Sequence, residues 1–133
     1  MSNRLVHFAA ACAILVAGTA FAADAPPTGI RRTELQRSPV PGGKYVAVLI
    51  QVDIDAGAKL PMHTHPGVES TYVVSGMLTL SVKGQADRTL GPGESYMVPA
   101  GTPHSAVSGG PAAFKGIASY VIEADKPLST PVP

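Results

Sequence analysis

Glycine and proline interrupt this chain so often that no long helix fits between them. The 133 residues include 14 glycines and 13 prolines, and beyond residue 56 they return every few positions, as in Pro66-Gly67, Gly76, Gly91-Pro92-Gly93 and Pro99-Ala100-Gly101. Proline lacks an amide donor and glycine lacks a side chain, so both leave element interiors and gather at turns. Between them lie short runs such as "KYVAVLIQVDID", "STYVVSG", "MLTLSVKG" and "AAFKGIASYVIEA". Runs rich in β-branched residues and bounded by turn formers are strands. In the third run Leu78, Leu80 and Val82 alternate with Thr79 and Ser81, the period of a half-buried strand. No segment shows the helical period, nothing repeats at a fixed interval, and no linker divides residues 44–124. The expectation is all-β, one sandwich or barrel over 44–124.

The two ends read differently. Residues 1–22 open with Arg4 and no acid, run on as "LVHFAAACAILVAGTAFA", and close on Ala20-Phe21-Ala22. A basic start, an apolar stretch and a small-x-small ending are the marks of a secretory signal peptide, with cleavage expected after Ala22. A lipoprotein reading through Cys12 is weaker, because alanines precede it and the apolar run continues past it. Removal of residues 1–22 takes away Cys12, so the remainder has no disulfide and depends on its core. It also takes away Arg4, leaving Lys+Arg and Asp+Glu equal at nine each. That balance argues against nucleic acid or an anionic membrane as partner. The protein is expected in the periplasm or secreted, with no membrane contact after cleavage. Residues 23–43 read as an exposed arm with one short strand near Thr33–Gln36, and residues 125–133 as a frayed, proline-rich tail.

The strand beginning at Tyr45 is apolar at both parities, Val46/Val48/Ile50 and Tyr45/Ala47/Leu49. A strand of that kind is covered on both faces. Either the arm folds over it or a second copy of the chain does.

His7 departs with the signal, so three histidines remain: His63, His65 and His104. Residues two apart on a strand point to one face, about 6.6 Å apart, so His63 and His65 present two imidazoles together. Glu69 shares their parity, although Pro66-Gly67 bends the chain between them. Neutral imidazoles and a carboxylate suit Fe, Mn, Ni, Cu or Zn as the divalent ion. An H-x-H pair is by itself weak, since two turn histidines look the same. The concentration of every remaining histidine in two Gly/Pro-patterned segments strengthens it.

Those two segments carry a resemblance. Gly57-x5-His63-x-His65-x3-Glu69-x6-Gly76 resembles the first motif of the cupin family, and Gly93-x5-Pro99-x-Gly101-x2-His104-x3-Ser108 resembles the second. The short spacing between them is similar to that of single-domain bacterial cupins. The resemblance implies a double-stranded β-helix, a small jelly-roll barrel. It further implies that His63, His65, Glu69 and His104 bind one divalent transition metal inside it. The second motif usually ends in Asn; here Ser108 stands there, which bears on hydrogen bonding near His104 rather than on ligation.

Other residues are read more plainly. Gly76, Gly91, Gly93 and Gly101 mark turns where positive φ is expected. Met62, Met77 and Met97 are expected to fill core gaps rather than line a pocket. Tyr72 and Tyr96 are expected to pack within strands. Thr71 and Ser75 share the parity of Glu69 and are expected to face the cavity. Arg88 reads as a solvated arginine rather than a carboxylate binder, and Asp53 and Asp55 as turn residues.

Two functions follow from such a chain. One is a metal-dependent enzyme acting on a small oxygen-rich molecule. Its resemblance is to the small dioxygenases of quercetinase type, with Glu69 as a ligand or a detachable base, and isomerases, decarboxylases and lyases share the scaffold. The other is a module that binds a small molecule or the metal without turnover. The doubly apolar strand and the resemblance both suggest a homodimer.

Overall fold

The structure, a computed structural model, describes residues 28–133. The expected signal peptide, its cleavage site, His7 and Cys12 lie outside the described residues. In chain order the strands are β1 (Ile30–Pro39), β2 (Tyr45–Ile54), β3 (Lys59–Thr64), β4 (Gly67–Ser75) and β5 (Leu78–Val82). They continue as β6 (Arg88–Leu90), β7 (Ser95–Val98), β8 (His104–Ser108), β9 (Phe114–Glu123) and β10 (Thr130–Pro131). No helix occurs among the described residues.

The strands form two five-stranded antiparallel sheets, ordered β1-β2-β9-β4-β7 and β10-β3-β8-β5-β6. From β2 onward the chain crosses between sheets at nearly every connection, which is the winding of a jelly-roll barrel. Each sheet turns one parity inward. Val46, Val48, Ile50, Val52 and Ile54 on β2 and Phe114, Ala118 and Ile122 on β9 meet Leu78, Leu80, Leu90 and Ala106 of the opposite sheet. Burial of each large aliphatic side chain contributes on the order of 1.5–3 kcal/mol, so this alternation sets the register.

Both ends depart from expectation. The arm is exposed as expected, but its strand is longer than four residues: β1 runs ten residues and pairs with β2 from Val46 to Ile54, with one shift between Glu34 and Gln36. An edge partner satisfies the amide and carbonyl groups of β2, which a proline-rich reading of the arm overlooked. The tail does not fray. Thr130 and Pro131 pair with Thr64 and His63, and the Val132 amide donates to the Met62 carbonyl at 3.0 Å.

The doubly apolar strand is also resolved differently. β1 lies beside β2 in the same sheet, not across its face. The outward residues Ala47 and Leu49 are half-buried and Tyr45 is exposed. The methionines miss the core: Met77 is 40% exposed and Met97 66%, and Met62 is half-buried. Of the turn glycines, Gly76, Gly93 and Gly101 have positive φ, whereas Gly91 does not. The Gly91 amide instead donates to the Glu94 carboxylate at 2.7 Å.

Candidate metal centre

The segment "HTHPGVE" is the crossing from one sheet to the other. His63 sits on β3, His65 just beyond it, and Glu69 on β4 in the facing sheet. The bend falls at Pro66-Gly67. A side chain at Gly67 would collide with the Val121 carbonyl, so only glycine lets the chain pass β9 this closely. The Gly101 amide donates to the His65 carbonyl at 2.9 Å and the Glu123 amide to the Pro66 carbonyl at 3.1 Å, fixing the crossing from both sides.

Shared parity therefore does not bring Glu69 to the histidines; opposition across the barrel does. Nor does simple alternation place His63. Between Leu60 and His63, β3 carries one residue more than β8. This bulge lets both Leu60 and His63 turn inward and sets His63 directly opposite His104. Their rings are 4.3 Å apart between centroids.

All four side chains are buried, and each offers one ligand atom such that these atoms lie within 4.8 Å of one another. Each imidazole is held from behind by a backbone carbonyl. His63 Nδ1 donates to Pro61 O at 2.7 Å, His65 Nδ1 to Leu128 O at 2.6 Å, and His104 Nδ1 to Thr102 O at 2.9 Å. A carbonyl can only accept, so Nδ1 carries the proton in all three rings. In the neutral rings every Nε2 is then a lone pair.

Two of those lone pairs face a carboxylate oxygen. Glu69 Oε2 lies 3.0 Å from His65 Nε2 and 3.1 Å from His104 Nε2. Two acceptors at that distance need a positive charge between them, either a proton on the ring or a shared cation. His65 Nε2 has contact distance but not hydrogen-bond alignment, and it is buried without a hydrogen-bond partner. An orphaned, inward-aimed nitrogen is what a metal ligand looks like before the ion is counted. Ligand bonds of about 2.0–2.2 Å put the donors of one ion roughly 3 Å apart when adjacent, which the Glu69–histidine separations match. The residues present fit a divalent ion.

The other oxygen of Glu69 is tied by side chains. Oε1 accepts from Thr71 Oγ1 at 2.7 Å and from the Tyr96 hydroxyl at 2.9 Å. On β4 and β7, Thr71 pairs with Tyr96 and Glu69 with Val98, which brings that hydroxyl diagonally over the carboxylate. Oε2 alone is left for the histidines.

Burial opposes the charge on Glu69, but the His104 and His65 imidazoles, when they carry a proton at Nε2, and the hydrogen bond from Thr71 outweigh it and hold the carboxyl well below the usual carboxylate range. Burial is also the main reason that His63 falls from 6.5 to about 4, which keeps it neutral and able to ligate. For His104 burial pulls downward, yet Glu69 and the Thr102 carbonyl win and the net shift is upward. Burial, then the charge of Glu69, raises Tyr96 and Tyr120, so both phenols stay protonated. The Tyr120 ring lies 4.8 Å from that of His65.

An enclosed cavity of about 20 Å³ adjoins the cluster, bordered by Glu69, Thr71, Tyr96, Tyr120 and Arg32 among others. That is room for one water molecule.

Of the residues singled out from sequence, His63, His65, Glu69, His104 and Thr71 come together here. Ser75 does not: a register shift after Val73 leaves it exposed. Tyr72 faces out at 52% exposure, and Arg88 is exposed as expected. Asp53 accepts from Gln51 and pairs with Lys115, and Asp55 closes a turn with Ala58. Ser108 sits at the far end of β8 from His104 and donates to Ala112 O at 3.4 Å. Tyr96 and the Leu128 carbonyl were not foreseen at the site. The parity of Tyr96 with buried Val98 was a usable signal; no side-chain pattern could announce a backbone carbonyl.

The family model for the cupin domain matches residues 50–120. Among curated proteins, a dimethylsulfoniopropionate lyase, DddQ of Ruegeria pomeroyi, is 35% identical over 54 residues, covering 41% of this chain and 27% of that protein. The chain thus spans about a quarter of the curated relative's length. Its solved structure superposes with a TM-score of 0.61 at 23% identity, over 77% of this chain and 51% of that one. The polyketide cyclase RemF of Streptomyces resistomycificus superposes with a TM-score of 0.63 at 22% identity, over 80% of this chain and 73% of that one. With the family model matching more than half its length and the two-sheet barrel to go with it, the chain belongs to the cupin domain family.

Proposed function

We propose that this chain is a metal-dependent enzyme that holds one divalent transition metal on His63, His65, Glu69 and His104 and acts on a small oxygen-bearing molecule. The observation that carries this reading is the set of three imidazoles locked by backbone carbonyls, with the Nε2 atoms of His65 and His104 at one oxygen of Glu69 and a ligand atom of His63 in the same cluster. A bound ion would supply Lewis-acid polarisation of a substrate oxygen.

The chain's own groups have distinct tasks. Glu69 serves as a fixed ligand: its low proton affinity and its two hydroxyl donors suit it poorly to detaching as a base. Tyr96 and Tyr120, kept protonated, can donate to an oxygen but not accept a proton from carbon. The apolar wall of the barrel excludes water and strengthens each polar contact. Similarity to proteins named as a lyase and a cyclase supports lyase or isomerising chemistry ahead of oxygen chemistry. A dioxygenase-like activity is the second reading, favoured by a three-histidine, one-carboxylate donor set that suits Fe, Mn, Ni or Cu as well as Zn.

Dialysis of residues 23–133 against each of these ions, followed by elemental analysis, is expected to give close to one ion per chain. A protein that stays metal-free with all four side chains intact defeats the proposal. Turnover that persists without oxygen selects the lyase reading; turnover that stops selects the second.

Export to the periplasm or medium belongs to the same proposal, and the mature chain is expected to begin at Ala23 by mass. A homodimer is proposed through the outward face of β2; a monomer by light scattering at high concentration would remove it.

A further inference from the structure

The small cavity beside the cluster is closed by buried or half-buried groups on every side but one. Arg32 is the exposed member of its lining. This residue comes from β1, which begins three residues before the short strand expected near Thr33–Gln36. Its register partner is Val52, which points into the barrel, so Arg32 shares the inward face.

The arginines of β1 differ in what they meet. Arg31 faces the Asp55 carboxylate at 3.5 Å, and Arg37 makes a two-pronged contact with Glu34 whose shortest arm is 2.9 Å. Arg32 has no hydrogen-bonded or ion-paired partner among the described residues, yet its charge is felt at Tyr120 inside the barrel. A larger groove of about 690 Å³ touches His65, but its charged residues Glu123 and Lys126 already pair at 3.2 Å. Arg32 stands at the small cavity that Glu69 itself borders, whereas Arg88, also without a partner among the described residues, lies in a separate groove of about 540 Å³ that Glu69 does not line.

We infer that Arg32 forms the mouth of the metal cavity and recognises the carboxylate of a small anionic substrate whose other end reaches the cluster. This assignment rests on the metal-site reading above and names the substrate class. A guanidinium is the natural gate here. Its planar fork binds a carboxylate through two parallel hydrogen bonds, and its long flexible stem can swing aside to enlarge a cavity that now admits one water. The charge also counters that of Glu69, which would otherwise repel an incoming anion. Phenol donors from Tyr96 and Tyr120 and the apolar wall leave no second cation in the lining to do this work.

The test compares wild type with Arg32→Ala and Arg32→Lys, each loaded with zinc and assayed for zinc content, using propionate as probe and the isosteric, uncharged propionamide as control. Titration calorimetry is expected to show propionate binding to wild type. The affinity is expected to fall about tenfold or more in Arg32→Ala and to recover partly in Arg32→Lys, with propionamide weak throughout. Zinc content is expected to be equal in all three, since Arg32 touches no proposed ligand. The readings fail separately. Zinc absent from wild type defeats the metal site. Zinc bound with propionate affinity unchanged in Arg32→Ala, or with propionamide bound equally well, defeats the role of Arg32. No propionate binding to zinc-loaded wild type defeats it also.

Discussion

The histidines and the glutamate of the candidate centre are held in opposite ways. Each imidazole leans on a backbone carbonyl, at Pro61, Leu128 and Thr102. Glu69 leans on two side-chain hydroxyls, Thr71 and Tyr96. A backbone acceptor is present whatever residue supplies it, so the histidine half is buffered against substitution. The glutamate half is only as well placed as two particular side chains make it. The half carrying the negative charge is therefore the vulnerable one.

The largest effect is expected at Glu69 itself. Glu69→Gln removes the one negative charge in the cluster, and metal affinity is expected to fall by more than about a hundredfold, read by competition with a chelator. The metal-free variant is expected to be more stable than metal-free wild type. The new amide can donate to the Nε2 lone pairs that now confront a carboxylate. A variant that loses metal and also melts earlier without it would show that protonated imidazoles, not lone pairs, face Glu69.

Next come the hydroxyls. Thr71→Val and Tyr96→Phe keep volume and remove one donor each from Glu69 Oε1, and each is expected to lower metal affinity about 10- to 100-fold. The double variant should lose less than the product of the two, because both act on one oxygen. If neither changes affinity, Glu69 is held by packing alone and the contrast between the halves collapses.

The histidine half is reached only by deleting backbone. Ending the chain after Pro127 removes the Leu128 carbonyl behind His65 together with β10. Metal affinity is expected to drop by no more than about tenfold, since two carbonyl supports remain and water can replace the third. Leu128→Ala keeps the carbonyl and serves as control: it should cost stability through lost packing yet leave affinity as in wild type.

The same division explains what could be read in the sequence. Features written in side chains were legible: the Gly/Pro turns, the alternating strands, and the four residues that gather at the candidate centre, with their spacing. Features written in backbone pairing were not. Only the middle of β1 was legible, because between Ile30 and Pro39 the residues opposite inward positions of β2 are Arg32, Glu34 and Arg37, and so no apolar period appeared. β10 was hidden because two paired residues leave no pattern, and the bulge before His63 because it is a matter of register. Tyr96 lies between. Its alternation with Val98 pointed inward, but only the pairing of β4 with β7 reveals that its hydroxyl meets Glu69.

The last expected effect separates the histidines from one another by pH. In the metal-free protein, burial depresses His63 to about 4, while its unfolded value is 6.5. Between those values the unfolded chain takes a proton that the folded one refuses, so stability falls as pH drops from about 6.5 to about 4. His104 is shifted the other way: it contributes stability that is complete below 6.5 and is lost as pH rises through its folded value. Glu69, depressed, adds stability above its unfolded value of 4.5 and withdraws it in stronger acid. Denaturant melts of the chelated protein across pH 4–8 should therefore show a decline on the acid side that His63→Gln flattens. They should also show a gentler decline on the alkaline side that His104→Gln flattens. Were the acid decline to survive His63→Gln unchanged, burial would not be holding that ring neutral, and His63 would already compete with protons for an ion near pH 6.5.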